Sequence, residues 1–271
     1  MQPVLRSGLS ARLELLECRP GVESARPSVL FVHGAYTGAW TWAEHFLPHF
    51  AAHGYPAYAL SVRGHGASHG REALPWHSLR DYVDDLEEAI DGLAETPVLV
   101  GHSMGAMVAM KYLERAAVPA AALLAPVPPQ GLLAASLALA LSRPGLFAEL
   151  NTLLAHGRAS PEAMHKALFA GPVPAERLAS YYARFQRESP RAIWDMTFFD
   201  LPQRWRMRPV PMLALLAERD ALFPLEQSLA GFAAFGIPAE VLPDAGHAVM
   251  LEPGWQRAAD RVLGWLAERL G

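Results

Sequence analysis

Pro97–Met107 reads PVLVGHSMGAM: a short β-branched apolar run, a serine between two glycines, and the opening of a good helix former. Strand, sharp turn and helix is the setting in which a serine hydroxyl is lifted clear of a sheet, with helix N–H groups aimed towards it. Gly101 and Gly105 have a steric reason to flank Ser103, since side chains there collide with the neighbouring strand or helix. A five-residue pattern is weak alone, so its meaning depends on what the rest of the chain places around it.

Several other apolar runs resemble this strand. Ser28–Val32 (SVLFV), Pro56–Ser61 (PAYALS), Ala121–Ala125 (AALLA) and Pro211–Ala217 (PMLALLA) read as buried strands, with Ala239–Pro243 (AEVLP) a weaker case. None alternates strictly, as expected when helices cover both faces of a parallel sheet. Between them lie amphipathic helices. Leu79, Tyr82, Val83, Leu86, Ile90 and Leu93 recur at helical spacing, with Asp81, Asp84, Asp85, Glu87 and Glu88 on the other face and Ser78 as N-cap. Pro253 can open a last helix, and Glu252 is expected to help cap it. The alternation predicts an α/β fold with a doubly wound, mostly parallel sheet.

Residues 127–208 break the alternation. They carry only helical patterns, punctuated by Pro144, Pro161, Pro172, Pro174 and Pro190. An insertion of about 80 residues is too long for an ordinary connection. A helical cap at 127–208, over a core of 1–126 and 209–271, is the predicted organisation, since ligands bind at the C-terminal strand edge.

A serine hydroxyl needs a base held by a carboxylate. Asp220, in LLAERDALFP, falls just beyond one predicted strand, and His247, in PDAGHAVMLEP, just beyond the next. The order Ser103, Asp220, His247 and their shared sheet edge make them the candidate catalytic residues. Asp200 and Asp244 are rival acids, but neither directly follows a strand in the required place. An oxyanion hole requires two preset donors. The Met104 amide is one candidate, and the Ala35 amide, in the loop HGAYTGAW after the first long strand, is the other.

With these residues in place, the chain resembles the α/β-hydrolase-fold serine hydrolases over nearly its whole length. FVHGA, SVRGHGASHG, VGHSMG, ERD and GHAVMLEP occur in the family's order, and the opening His33–Trp42 is similar to small esterases, lysophospholipase-like hydrolases and related hydroxynitrile lyases. Two departures stand out: Ser61 where many relatives carry Asp, and Ala106 where a third glycine often follows. The resemblance implies a carboxylic ester hydrolase working through an acyl-enzyme. A carbon–carbon lyase on the same triad stays open, with Lys166 as a candidate for holding a leaving anion. A thioesterase, a lactonase or a non-catalytic ligand-binding protein are further alternatives. Tyr36, Trp40, Trp194, Phe198, Phe199, Phe223 and Val249 are the candidate substrate-binding residues, suggesting an apolar acyl pocket.

Bulk properties narrow the classes. The chain has 271 residues, 52% of them hydrophobic, a net charge of −4 and one cysteine, Cys18. A large core is available, no internal disulfide can form, and a reducing, cytoplasmic setting is expected. Arg204–Arg208 (RWRMR) is the only basic concentration, too small for a nucleic-acid footprint. The N-terminal twenty residues lack a signal-peptide apolar core, and prolines break the uncharged stretch 116–142 before it can span a bilayer. His45, His49 and His53 share a helical stripe interrupted by Pro48 and lack an accompanying carboxylate–histidine motif, so no metal is expected, and no cofactor. The partner is a small-molecule ester, with oligomeric state unknown.

Overall fold

The computed structural model describes residues 4–5, 12–22, 24–156 and 160–270. The N-terminal stretch read above for a signal lies partly outside them. Among the described residues the strands are Val4–Leu5 (β1), Glu14–Cys18 (β2), Val29–Val32 (β3), Ala57–Ser61 (β4), Val98–His102 (β5), Ala121–Leu124 (β6), Met212–Ala217 (β7) and Ala239–Leu242 (β8). They form one sheet in the order β1-β2-β4-β3-β5-β6-β7-β8. β1 and β2 run antiparallel to their neighbours, and the strands from β4 to β8 are parallel.

Every residue of β3, β4, β5 and β6 is buried. The pleat divides them between two cores: Leu30, Leu99 and Leu123 face one layer of helices, while Val29, Phe31, Val98, Val100 and Leu124 face the other. This explains why the runs are continuously apolar rather than alternating. The helix Leu79–Asp91 starts in a capping box, in which Ser78 Oγ accepts from Asp81 N–H and Asp81 accepts from Ser78 N–H. Its predicted polar face needs one correction. Asp85 is fully buried and accepts from Arg63 N and Nε at 2.7 and 2.8 Å. A carboxylate turned inwards is tolerated because a guanidinium meets it there.

Pro253 lies in a turn, and the last helix starts only at Trp255. Glu252 also differs from its expected capping role: its carboxylate accepts from Gly246 and Ala170 N–H at 2.9 and 2.6 Å. β2 has no counterpart in the sequence reading, because its short ELLEC run mixes charged and apolar residues without regular alternation.

Between β6 and β7 lie helices Leu133–Ser142, Pro144–His156, Pro161–Leu168, Ala175–Arg184 and Pro190–Trp194, then a π-helical turn Asp195–Phe199. Pro144, Pro161 and Pro190 occupy the first positions of three of them, where a missing N–H costs nothing. Arg204–Arg208 returns the chain to β7, with Arg208 N–H bonded to Leu113 O at 2.8 Å.

Candidate active site

Four loops leaving β3, β5, β7 and β8 meet at one edge of the sheet. The β5 loop is one residue long. Ser103 adopts φ 50° and ψ −115°, and the helix Met104–Tyr112 begins immediately after it. A left-handed serine is strained, and the surroundings hold it there. A Cβ on Gly101 would lie 2.5 Å from Gly105 O, and one on Gly105 would lie 2.6 Å from His33 O and run into Val32 O. Only glycine at both positions lets the turn close. Ala106, where a third glycine often stands, fits with its Cα against Gly101.

Ser103 Oγ lies 3.0 Å from His247 Nε2, and His247 Nδ1 lies 2.8 Å from Asp220 Oδ2. The second Asp220 oxygen accepts from Leu222 and Phe223 N–H at 2.8 and 3.1 Å, which fixes the carboxylate's orientation. All three side chains are nearly excluded from solvent. Phe223 sets its edge against the His247 ring at 5.1 Å. Such a chain can draw a proton from the serine and stabilise the resulting imidazolium. The rival acids are engaged elsewhere. Asp200 pairs with Lys111 at 2.8 Å and Asp244 pairs with Arg219.

The β3 loop runs beside the serine. A Cβ on Gly34 would come within 3.2 Å of Ser103 Cβ and 2.6 Å of His102 Nδ1, so glycine is what permits the approach. Ala35, the next residue, and Met104 both line the cavity above Ser103. The loop's anchorage accounts for Ser61. Its hydroxyl accepts from Ala39 N–H at 2.8 Å and donates to Glu14 at 2.6 Å, so a carboxylate from β2 lies behind the position where relatives carry Asp.

The cavity encloses about 480 Å³. Ser103, His102 and His247 form its polar end, and Leu139, Leu153, Met164, Ala167 and Met196 of the inserted helices are among its apolar walls. Among the described residues, no Asp, Glu, Lys or Arg lines it. Tyr36, Trp194, Phe198 and Phe223 are in the lining. Trp40, Phe199 and Val249 are not. Trp40 turns away to Arg184, whose guanidinium sits 4.2 Å from its ring centroid. Phe199 is 72% exposed, and Val249 is buried in the sheet's second core. Lys166 is exposed on its helix and stays out of the cavity.

The histidines of the 45–53 stripe have local partners. His49 reaches Asp260 at 2.7 Å, and His45 stacks on Trp255 at 4.7 Å. Among the described residues no cluster of His, Cys, Asp and Glu is arranged to hold a metal, and no helix is long and apolar enough to cross a membrane.

Comparison with known proteins places the chain in a wider group. The model of the "Alpha/beta hydrolase family" matches residues 29–261. A monoacylglycerol lipase of Mycolicibacterium smegmatis is 26% identical over 266 residues, covering 90% of this chain and 89% of the lipase. An esterase from Exiguobacterium antarcticum superposes with a TM-score of 0.73 at 18% identity, covering 94% of this chain and 95% of its own. A carboxylesterase from Bacillus subtilis gives 0.72 at 19% identity, with 97% and 90% covered.

Proposed function

The chain belongs to the alpha/beta hydrolase family, and from that premise we propose that it hydrolyses carboxylic esters of apolar acyl groups through an acyl-enzyme. The observation that carries the proposal is the Ser103–His247–Asp220 hydrogen-bonded chain at the polar end of an uncharged cavity. His247 Nε2 takes the Ser103 proton as Oγ attacks the acyl carbon. Asp220 holds the proton on Nδ1 and stabilises the imidazolium. The amides of Ala35 and Met104 receive the oxyanion, helped by the positive end of the helix that begins at Met104. His247 then protonates the leaving alcohol and afterwards activates a water that releases the acid.

Residues 127–208 act as the cap, in this reading, and their apolar walls receive the acyl chain. The lipase name of the M. smegmatis relative fits a medium or long chain. A cyanohydrin lyase would need a charged group beside the leaving anion, and Lys166 does not supply one there. The test is a p-nitrophenyl ester series from acetate to dodecanoate, run beside Ser103→Ala. Values of kcat/KM should rise by up to about fourfold per methylene, the equivalent of about 0.8 kcal/mol, until the cavity is filled. Ser103→Ala should fall below about 1% of wild type. A flat series would refute the acyl pocket, and an active Ser103→Ala the mechanism.

A further inference from the structure

Residues 186–189 belong to the inserted segment, yet they run along the loop that carries Ala35. Gln186 N–H donates to Tyr36 O at 2.9 Å and its Nε2 to Thr37 O at 2.6 Å. Tyr36 N–H in turn donates to Glu188 Oε2 at 3.2 Å. Tyr36 needs such support: at φ 65° it adopts a left-handed conformation that a tyrosine rarely holds unaided.

Glu188 is itself held from every side. Tyr82 Oη and Ser189 N–H donate to its Oε1 at 2.7 and 2.6 Å, and His65 Nε2 sits 3.0 Å from Oε2, with both side chains fully buried. The direction of the His65 N–H is poor for a hydrogen bond, so charge attraction holds that contact. Nδ1 of His65 meets Arg63 O at 3.1 Å, so both ring nitrogens face acceptors, as an imidazolium requires. Burial alone would discharge both groups. Facing each other, they stay charged, with the Glu188 carboxyl below its ordinary range and His65 above its own. A buried ion pair is a costly way to fill space compared with hydrocarbon, which points to a role in position rather than in bulk stability.

We propose that Glu188 is a positioning residue for the reaction: its carboxylate fixes Tyr36, and thereby the direction in which the adjoining Ala35 N–H meets the oxyanion. The proposal rests on the ester-hydrolase reading above. Oxyanion donors act through preset direction, and a loop that relaxes at Tyr36 loses it. The segment that walls the acyl cavity then also sets a donor of the chemical step.

Glu188→Gln tests this with little change of shape. Its single oxygen would stay with Tyr82 and Ser189, turning an NH2 group against the Tyr36 N–H. With p-nitrophenyl butyrate, kcat should fall about tenfold or more while KM moves less than about twofold. Val262→Ala, a buried truncation in the last helix outside this network, is the stability control, and its kcat should stay within about twofold of wild type at a comparable loss of Tm. If Glu188→Gln does not fold, Gln186→Ala removes the bond to Thr37 O and should still lower kcat by about threefold or more. The proposal is overturned if the folded Glu188→Gln protein keeps wild-type kcat, if its loss lies in KM, if Val262→Ala loses as much, or, where Glu188→Gln does not fold, if Gln186→Ala keeps wild-type kcat. A wild-type protein that neither turns over esters nor reacts at Ser103 with an organophosphonate would overturn the hydrolase reading and this one together.

Discussion

His102 Nε2 lies 2.9 Å from the backbone oxygen of His247, so the residue before the candidate nucleophile holds the loop that carries the candidate base. The bond requires a proton on His102 Nε2. Burial, and the neighbouring His247, keep the ring neutral by pushing its pKa well below the ordinary histidine value. The distance between serine and imidazole is therefore set twice, once through side chains and once through this backbone contact.

Asp220→Asn should abolish most activity without unfolding the protein. The leucine and phenylalanine amides at 222 and 223 already occupy one carboxylate oxygen. The asparagine oxygen would settle there, presenting NH2 to His247 Nδ1 and forcing the ring proton onto Nε2, where it can no longer accept from Ser103. A fall of about 10⁴ in kcat is expected. Stopped-flow and steady-state assays on p-nitrophenyl butyrate measure it, and a loss under about tenfold would sink the role given to Asp220.

Stability should decline between pH 7 and pH 5. His33 Nδ1 faces Gly34 O at 2.8 Å and its Nε2 accepts from Val62 N–H at 3.2 Å, a pattern only the neutral ring can make. Burial, then the charge on His65, push its pKa down to about 3. Because the folded pKa lies below the unfolded one, the stability is fully present above about pH 6.5. It is lost as pH falls towards 3, at about 1.4 kcal/mol per pH unit. His102 acts in the same direction. His65 opposes this trend at the top of the window, since its raised pKa contributes stability that is full below about pH 6.5 and is lost as pH rises above it. The depressed Glu188 carboxyl loses its contribution as pH falls. Urea denaturation at pH 7, 6 and 5 gives the slope, and His33→Asn should flatten it; an unchanged slope in that variant refutes the assignment.

Ala140→Trp should shorten the acyl chain accepted. Ala140 lines the cavity from the helix Leu133–Ser142 and is only partly buried, so an indole can enter without tearing the core. At about 0.8 kcal/mol per lost methylene contact, dodecanoate turnover should drop at least about tenfold in kcat/KM, with acetate within about twofold. Equal losses on both esters would place the acyl chain elsewhere.

The candidate nucleophile turn was legible because its pattern is local: a strand, a glycine-flanked serine and a helix in succession. Only the Gly101 clash arises within the turn, however, and that of Gly105 comes from the neighbouring strand at Val32 and His33. Asp220 and His247 were legible because parallel strands put their outgoing loops on one edge. Glu188 carries no comparable signature. It meets Tyr36 and His65 only after the inserted segment has folded back across the sheet, and nothing near it in the chain announces that return. Asp85 and Glu252 failed for a related reason. Asp85, at helical spacing, reads as solvent-facing until its partner Arg63 is in view, and Glu252 reads as a helix cap until Ala170 of the inserted segment donates to it. Trp40 and Val249 show that closeness in sequence to a site loop does not fix the direction of a side chain.

β6 and β7 pair from Ala121–Met212 to Leu124–Leu215, although all the inserted helices separate them in the chain. The acid and the base both follow that crossover. During synthesis, a nascent chain that has completed β6 already holds the strained serine but has nothing to activate it. In refolding, recovered turnover will report the last long-range strand pairing rather than the first collapse, and it is expected to lag behind signals from helix formation. Ester cleavage by this molecule would thus be a late clock of its own assembly.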